Sequence, residues 1–219
     1  MDGVDRASYP PGAARGAYGG AVPSPAARRV LDPDSPDVDA YRWLTDLVVP
    51  RPIAWVSTLS GDGIGNLAPH SFFTVACAQP PIVQFTSVGD KDTLRNVRAT
   101  GEFVVNLVSR PLLEVANASS ASYPRDVDEA DELEIRTEPS ACVAPPRVVA
   151  SPASIECVLH STLGLGDSTV VLGRVVRITV REDVLVDDRP AIALLEPLSR
   201  LGGSQWGLPP EPVQVRRPR

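Results

Sequence analysis

Four residues with anion-binding chemistry stand close together in the middle of this chain: Ser87, Lys91, Asp92 and Thr93. The run before them, 82–87, reads as a strand, and the run after them, 93–100, as a short helix. Unpaired N–H groups and the dipole at such a helix start attract an anion. Lys91 adds a charge, and the Ser87 and Thr93 hydroxyls add donors. Asp92 also suits the N-cap and Gly101 the C-cap of the same helix. Simple capping therefore explains these residues too, and the segment alone leaves both readings open. Upstream, Asn66 and Ser71 bracket Leu67-Ala68-Pro69-His70. Exposed backbone there either bonds the edge of a heteroaromatic ring or forms a plain bulge. Trp55, Phe72 and Phe73 read as core rather than as a cofactor stack.

The elements that would position these residues run from 51 to 107. A helix of one or two turns (41–48) stops at Pro50, and a strand (53–59) turns at Gly61-Asp62-Gly63 into a return strand over 67–78. Pro69 belongs at the start of that strand or in a bulge. The strand 82–87, the helix and a strand over 103–108 follow, then a helix over 111–121 with proline at its first position. Residues 122–152 read as loop, with the acidic cluster 126–134 a solvated part of it. Strands over 155–163 and 169–180, a short one over 184–192 and an irregular end at 200–206 complete the pattern. Six or seven strands at hairpin spacing with two short helices predict a mainly β, antiparallel barrel. Residues 1–38, rich in Pro, Gly and Ala, read as a disordered tail, 39–206 as the folded domain and 207–219 as a Pro/Arg-rich tail.

Composition narrows the function classes. The 219 residues are 43% hydrophobic and 22% charged, as in an ordinary globular protein, and the net charge of −6 argues against nucleic acid as a partner. No apolar run approaches the roughly 20 residues of a membrane helix, and the N-terminus does not resemble a signal peptide. Three cysteines (Cys77, Cys142, Cys157) without a CxxC pair, and two histidines (His70, His160), make no metal site; buried, reduced thiols in a cytoplasmic protein are expected, with no local cation to activate them. A Rossmann fingerprint, a P-loop and a GxSxG elbow are all absent.

Seven pieces in order over about 41–206 resemble the flavin reductase-like, FMN-binding split-barrel family: RPIAWVST (51–58), NLAPHSFF (66–73), PPIVQFTS (80–87), KDTLRNVRATGEFVVNL (91–107) and, more weakly, DEADELE (128–134), SIECVL (154–159) and RLGGSQW (200–206). The resemblance implies a Greek-key split β-barrel that binds FMN, usually as a homodimer with the flavin at or near the interface. It places Ser57 and Thr58 beside the ring, and Asn66, Leu67, Ala68 and Ser71 along the isoalloxazine and ribityl. Thr86, Ser87, Lys91 and Thr93 would take the phosphate, with Arg51 a second cation and Asn106 a neighbour. His70 stands where relatives often carry an aromatic, and Trp206 where many have a tyrosine; both are candidate ring or substrate contacts. Relatives often have histidine in a GDHT-like turn, where this chain reads Gly166-Asp167-Ser168-Thr169.

The implied activity is an NAD(P)H-dependent flavin reductase in which the flavin carries the chemistry and no protein group is catalytic. The alternative is an FMN-holding electron carrier without productive NAD(P)H binding. A different planar ligand, haem or a deazaflavin, is a third reading, for which His160 would be the only strand-borne haem ligand.

Overall fold

The computed structural model describes residues 27–216. Most of the tail expected over 1–38, and the last three residues of the C-terminal tail, lie outside the described residues. Residues 27–39 carry only turns. The helix α1 (Ala40–Leu47) then leads into β1 (Arg51–Pro52), β2 (Ala54–Leu59), β3 (Gly65–His70), β4 (Phe73–Cys77) and β5 (Ile82–Val88). From β5, α2 (Asp92–Thr100) crosses to β6 (Glu102–Leu107), and Gly101 closes the helix at φ 75°, a left-handed conformation that glycine adopts without strain. Next come α3 (Leu113–Ala118), α4 (Glu129–Glu132), β7 (Thr137–Glu138) and β8 (Arg147–Val148). The long hairpin β9 (Ala153–Leu165) and β10 (Ser168–Val180) follows, then β11 (Leu185–Val186), β12 (Arg189–Pro190), α5 (Ile192–Leu195), β13 (Ser199–Arg200) and β14 (Trp206–Gly207).

Seven strands form one antiparallel sheet in the order β3-β2-β6-β9-β10-β5-β4. The strands at its two ends, β3 and β4, are joined by only Ser71 and Phe72. Two residues cannot span an open sheet, so the sheet must curl until its edges meet. The inner face buries Ala54, Val56, Phe85, Phe103, Val105 and Val171 against Leu94 and Val97 of α2. On the outer face Trp55, Leu67 and Val148 pack against Leu112, Ala116 and Ala130. β2 is therefore covered on both sides, which explains its unbroken apolar and hydroxyl sequence.

Several expected elements differ. The single return strand over 67–78 is two strands: the chain breaks at Ser71-Phe72, and β4 pairs with β5 instead of β2. The helix over 111–121 is a 3₁₀ turn (Arg110–Leu112) followed by the shorter α3. The acidic segment is not a solvated loop. It contains α4, capped by Asp128 through the Ala130 N–H (2.8 Å), and it buries Glu129. The strand expected over 184–192 is instead the β11–β12 hairpin, turned at Asp187 and Asp188 with φ of 49° and 56°, and then α5. The irregular end joins β1 in a small sheet through β13 and β14. Cys142 is exposed and takes hydrogen bonds from Arg177 Nε and Nη2 at 3.4 and 3.3 Å, so this thiol does have a cation beside it. Only Cys157 is fully buried.

Candidate functional site

Where the curled edges meet, a cleft of about 380 Å³ opens between β3, β5, the N-terminus of α2 and residues 119–123. Side chains alternate along a strand, so each edge presents every second residue. From β3 these are Asn66, Ala68 and His70, and from β5 Thr86 and Val88. Ser71 and Phe72 line the cleft from the connection, Lys91 and Thr93 from the start of α2.

That helix start is open. Its N-cap is Lys91, not Asp92, and no side chain caps it. Asp92 is the first helical residue, and its carboxylate is held by Arg95, which also bonds Asp90. The first N–H groups of α2 thus keep no side-chain partner, while the nearby aspartates are neutralised by arginine. Lys91 is exposed and makes no ion pair among the described residues. Anion chemistry at this point rests on backbone N–H groups and one free ammonium.

Behind the helix start lies a buried polar relay. Asn66 Nδ2 donates to Thr93 Oγ1 (3.0 Å), and Thr93 Oγ1 lies 3.2 Å from His70 Nε2. Because Asn66 already donates to Thr93, the Thr93 hydroxyl donates onward to His70, setting the ring in its Nδ1–H tautomer. Burial pushes the His70 pKa down from 6.5 to about 4, against a hydrogen bond with the Thr86 backbone that favours the charged ring; Lys91 lowers it further. The ring packs on Phe85 with centroids 4.7 Å apart, and is neutral near pH 7.

Seven of the residues named from sequence thus share the cleft: Asn66, Ala68, His70, Ser71, Thr86, Lys91 and Thr93. The others are spent elsewhere. Arg51 is buried, and its guanidinium donates to the carbonyls of Thr45 (2.5 Å), Val48 (2.6 Å) and Leu201 (2.8 Å), tying down the end of α1. Ser57 donates to the Pro146 carbonyl (2.5 Å), and Thr58 accepts from Asn96 Nδ2 (3.1 Å). The Leu67 side chain is in the outer core, and its N–H goes to Glu129 Oε2 (2.8 Å). Ser87 points to the face opposite Thr86 and bonds the Gly89 carbonyl (3.0 Å). Asn106 donates to Trp55 O and Ser57 Oγ and accepts from Val148 N and Ser154 Oγ, which commits both ends of its amide to the fold. Trp206 packs on the outer core, with Arg200 over its ring at 5.1 Å.

Sequence reasoning missed three contributors. Tyr123 and the hydroxyl-rich run Ser119-Ser120-Ala121-Ser122 form the facing wall, and Glu129 lines the floor. Burial raises the Glu129 pKa, opposed by the backbone hydrogen bonds it accepts. Its buried position was hidden because an acidic run reads as surface; the Asp128 cap, followed by alanine, was the available signal.

Comparison with known proteins gives this geometry a context. Residues 47–195 match the flavin reductase like domain. The chain belongs to the flavin reductase-like family. A protein of uncharacterized function from Deinococcus radiodurans is 40% identical over 77% of this chain and 79% of its own length. The crystal structure of nitrilotriacetate monooxygenase component B from Bacillus cereus superposes with a TM-score of 0.81 at 29% identity, covering 88% of this chain and all of that one. The 2-nitrobenzoate 2-nitroreductase NbaA of Pseudomonas fluorescens gives 0.80 at 27%, over 87% and 96%. At 19% identity a split-barrel-domain protein from Shewanella frigidimarina, TM-score 0.75 over 81% and 91%, shares the fold. The curled antiparallel sheet is the split barrel of flavin reductase-like proteins. Its donor set fits a flavin nucleotide: an uncapped helix start and a free ammonium for phosphate, next to a strand edge and a half-buried Phe72 for a ring.

Proposed function

We propose that this protein is an FMN-dependent oxidoreductase acting as an NAD(P)H:flavin reductase, in the form of a cytoplasmic homodimer. The observation that carries the reading is the cleft itself. An open, positively polarised helix start with Lys91 stands beside the edge residues Asn66, Ala68 and Ser71, in a chain of the flavin reductase-like family. Similarity to a monooxygenase component B and to a nitroreductase supports redox chemistry.

Bound FMN supplies a ring that accepts hydride at N5. Lys91, the Thr86 hydroxyl and the first N–H groups of α2 hold the phosphate. Thr93 contributes its backbone N–H, because its hydroxyl is committed to His70. Neutral His70 keeps Thr93 and Asn66 in place without adding charge under the ring. Ala68 and Ser71 border the ring, and Tyr41 and Phe72, 6.3 Å apart, wall the mouth and exclude water. No residue needs to move a proton, so the protein's task is to hold two rings in contact at about 3–3.5 Å. The homodimer is supported by α1, whose Tyr41, Leu44, Leu47 and Val48 make one apolar face that stays exposed.

An anaerobic visible spectrum before and after NADH or NADPH tests the reading. Flavin bands that bleach within seconds are expected, with the faster nucleotide naming the donor. Bands that persist with both but bleach with dithionite would move the protein to the electron-carrier reading. A protein that fails to bind added FMN would reduce the site to the end of a helix.

A further inference from the structure

Beside the cleft lies a second chamber of about 270 Å³ that the flavin reading does not use. The two share a wall of Asn66, Asp92, Arg95 and Glu129. Together they form a bipartite groove along α2, divided at the helix's first turn and a half. The far chamber is not another anion site. Ile64, Pro124 and Val127 give it apolar surface, while Asp62 and Asp126 at its rim are acceptors. Asn96 spends its amide N–H on Thr58, so its carbonyl is a third acceptor.

That combination matches a purine nucleoside. A planar base needs apolar faces, its exocyclic amine needs an acceptor, and a ribose diol is held well by a carboxylate. The dividing wall suits what would connect such a nucleoside to the first chamber. Arg95, Arg98 and Arg125 surround Asp90 and Asp92, three guanidinium groups on two carboxylates. The surplus positive charge lies between the chambers, with Lys91 on the near side, where a pyrophosphate would cross.

We propose that the second chamber is a subsite for the adenosine end of a dinucleotide whose other half lies in the flavin cleft. The proposal rests on the flavin reading of that cleft. Two molecules carry this end, FAD and NAD(P)H, and the chamber recognises the chemistry they share. The occupied groove would hold the adenine against Ile64 and Val127, the ribose at Asp126 and the pyrophosphate at Arg95.

The test uses the full chain and two variants. Val127→Trp fills the chamber, and Arg125→Glu reverses a side chain that is 75% exposed, so the fold is not at risk. Calorimetry with AMP and with ADP-ribose should show binding to the unaltered protein, weakened about tenfold or more in both variants, while FMN affinity stays within about twofold. FAD that binds about tenfold more tightly than FMN, with the advantage gone in the variants, assigns the chamber to FAD. Equal FMN and FAD affinities, with an NADH KM raised about tenfold in the variants, assign it to the pyridine nucleotide. No binding of AMP or ADP-ribose, or binding untouched by both variants, overturns the proposal, and FMN binding in the same protein leaves the flavin reading intact. AMP bound by a protein that takes no flavin keeps the chamber and removes the flavin reading instead.

Discussion

Lys91 and His70 line the same cleft and play opposite electrostatic parts. Lys91 is exposed and unpaired among the described residues, so its whole charge is available to a phosphate. Lys91→Ala should weaken FMN binding by about 1.5–3 kcal/mol, the usual worth of a charge-assisted contact, in a fluorescence titration. Unchanged affinity would take Lys91 out of the phosphate site. His70 is kept neutral by burial, with a pKa of about 4 in place of 6.5. Between those values the unfolded chain binds a proton that the folded chain refuses, so stability rises with pH across the window. The contribution is whole above pH 6.5 and is lost on acidification, reaching about 3 kcal/mol by pH 4. Urea denaturation at pH 7 and pH 4.5 should show that loss, and His70→Gln, which does not titrate, should flatten it. An unaltered slope in the variant would mean another group carries the acid sensitivity.

Among the elements, β3 carries the most risk, because it is an edge strand with a polar cleft on one side. Leu67 directs its N–H off that edge, and Pro69, two residues on, shares the outward parity. Its missing N–H therefore costs no ladder bond. Glu129 satisfies the Leu67 N–H from α4, and the two together blunt the edge. Glu129→Ala should destabilise the protein by about 1–3 kcal/mol through the orphaned buried N–H, whereas Glu129→Gln, which keeps an acceptor, should cost about 1 kcal/mol or less. Thermal unfolding of the two variants distinguishes them, and equal losses would show that packing rather than the hydrogen bond is at stake. Gly65 belongs to the same arrangement, since a Cβ there would collide with the Asp128 carboxylate that caps α4.

At the scale of the molecule, the apolar surface left over is informative. Tyr41, Leu44, Leu47 and Val48 are 59–69% exposed along one face of α1, and Tyr41 also reaches the cleft. Arg51 fixes this helix by holding its last carbonyls, so the face is presented rigidly. A second copy of the chain is the occupant consistent with the proposed homodimer. Replacing Leu44 and Leu47 together by Glu should convert the protein to a monomer in size-exclusion chromatography with light scattering, and should weaken flavin binding if the interface supports the cleft mouth. A double variant that stays dimeric would move the interface away from α1.

Strand content, the β2–β3 turn, the short helix with its glycine stop and the long β9–β10 hairpin were legible in the sequence, because each depends on local periodicity and backbone conformation. So was the ordered series of motifs that marks the family. The parity and partners of individual side chains were not. Thr86 and Ser87 are equivalent as residue types, yet only one can face the cleft once β5 has neighbours on both sides. Arg51 carries a mobile charge in the sequence, but the fold closes carbonyls from α1 and the C-terminal segment around it. Glu129 reads as one more solvated acid until β3 lies beside α4 and offers it an unpaired N–H. Sequence determines which groups can do chemistry here. The tertiary structure decided which remain available for it, because only folding shows which hydrogen bonds and charges have already been consumed in holding the chain together.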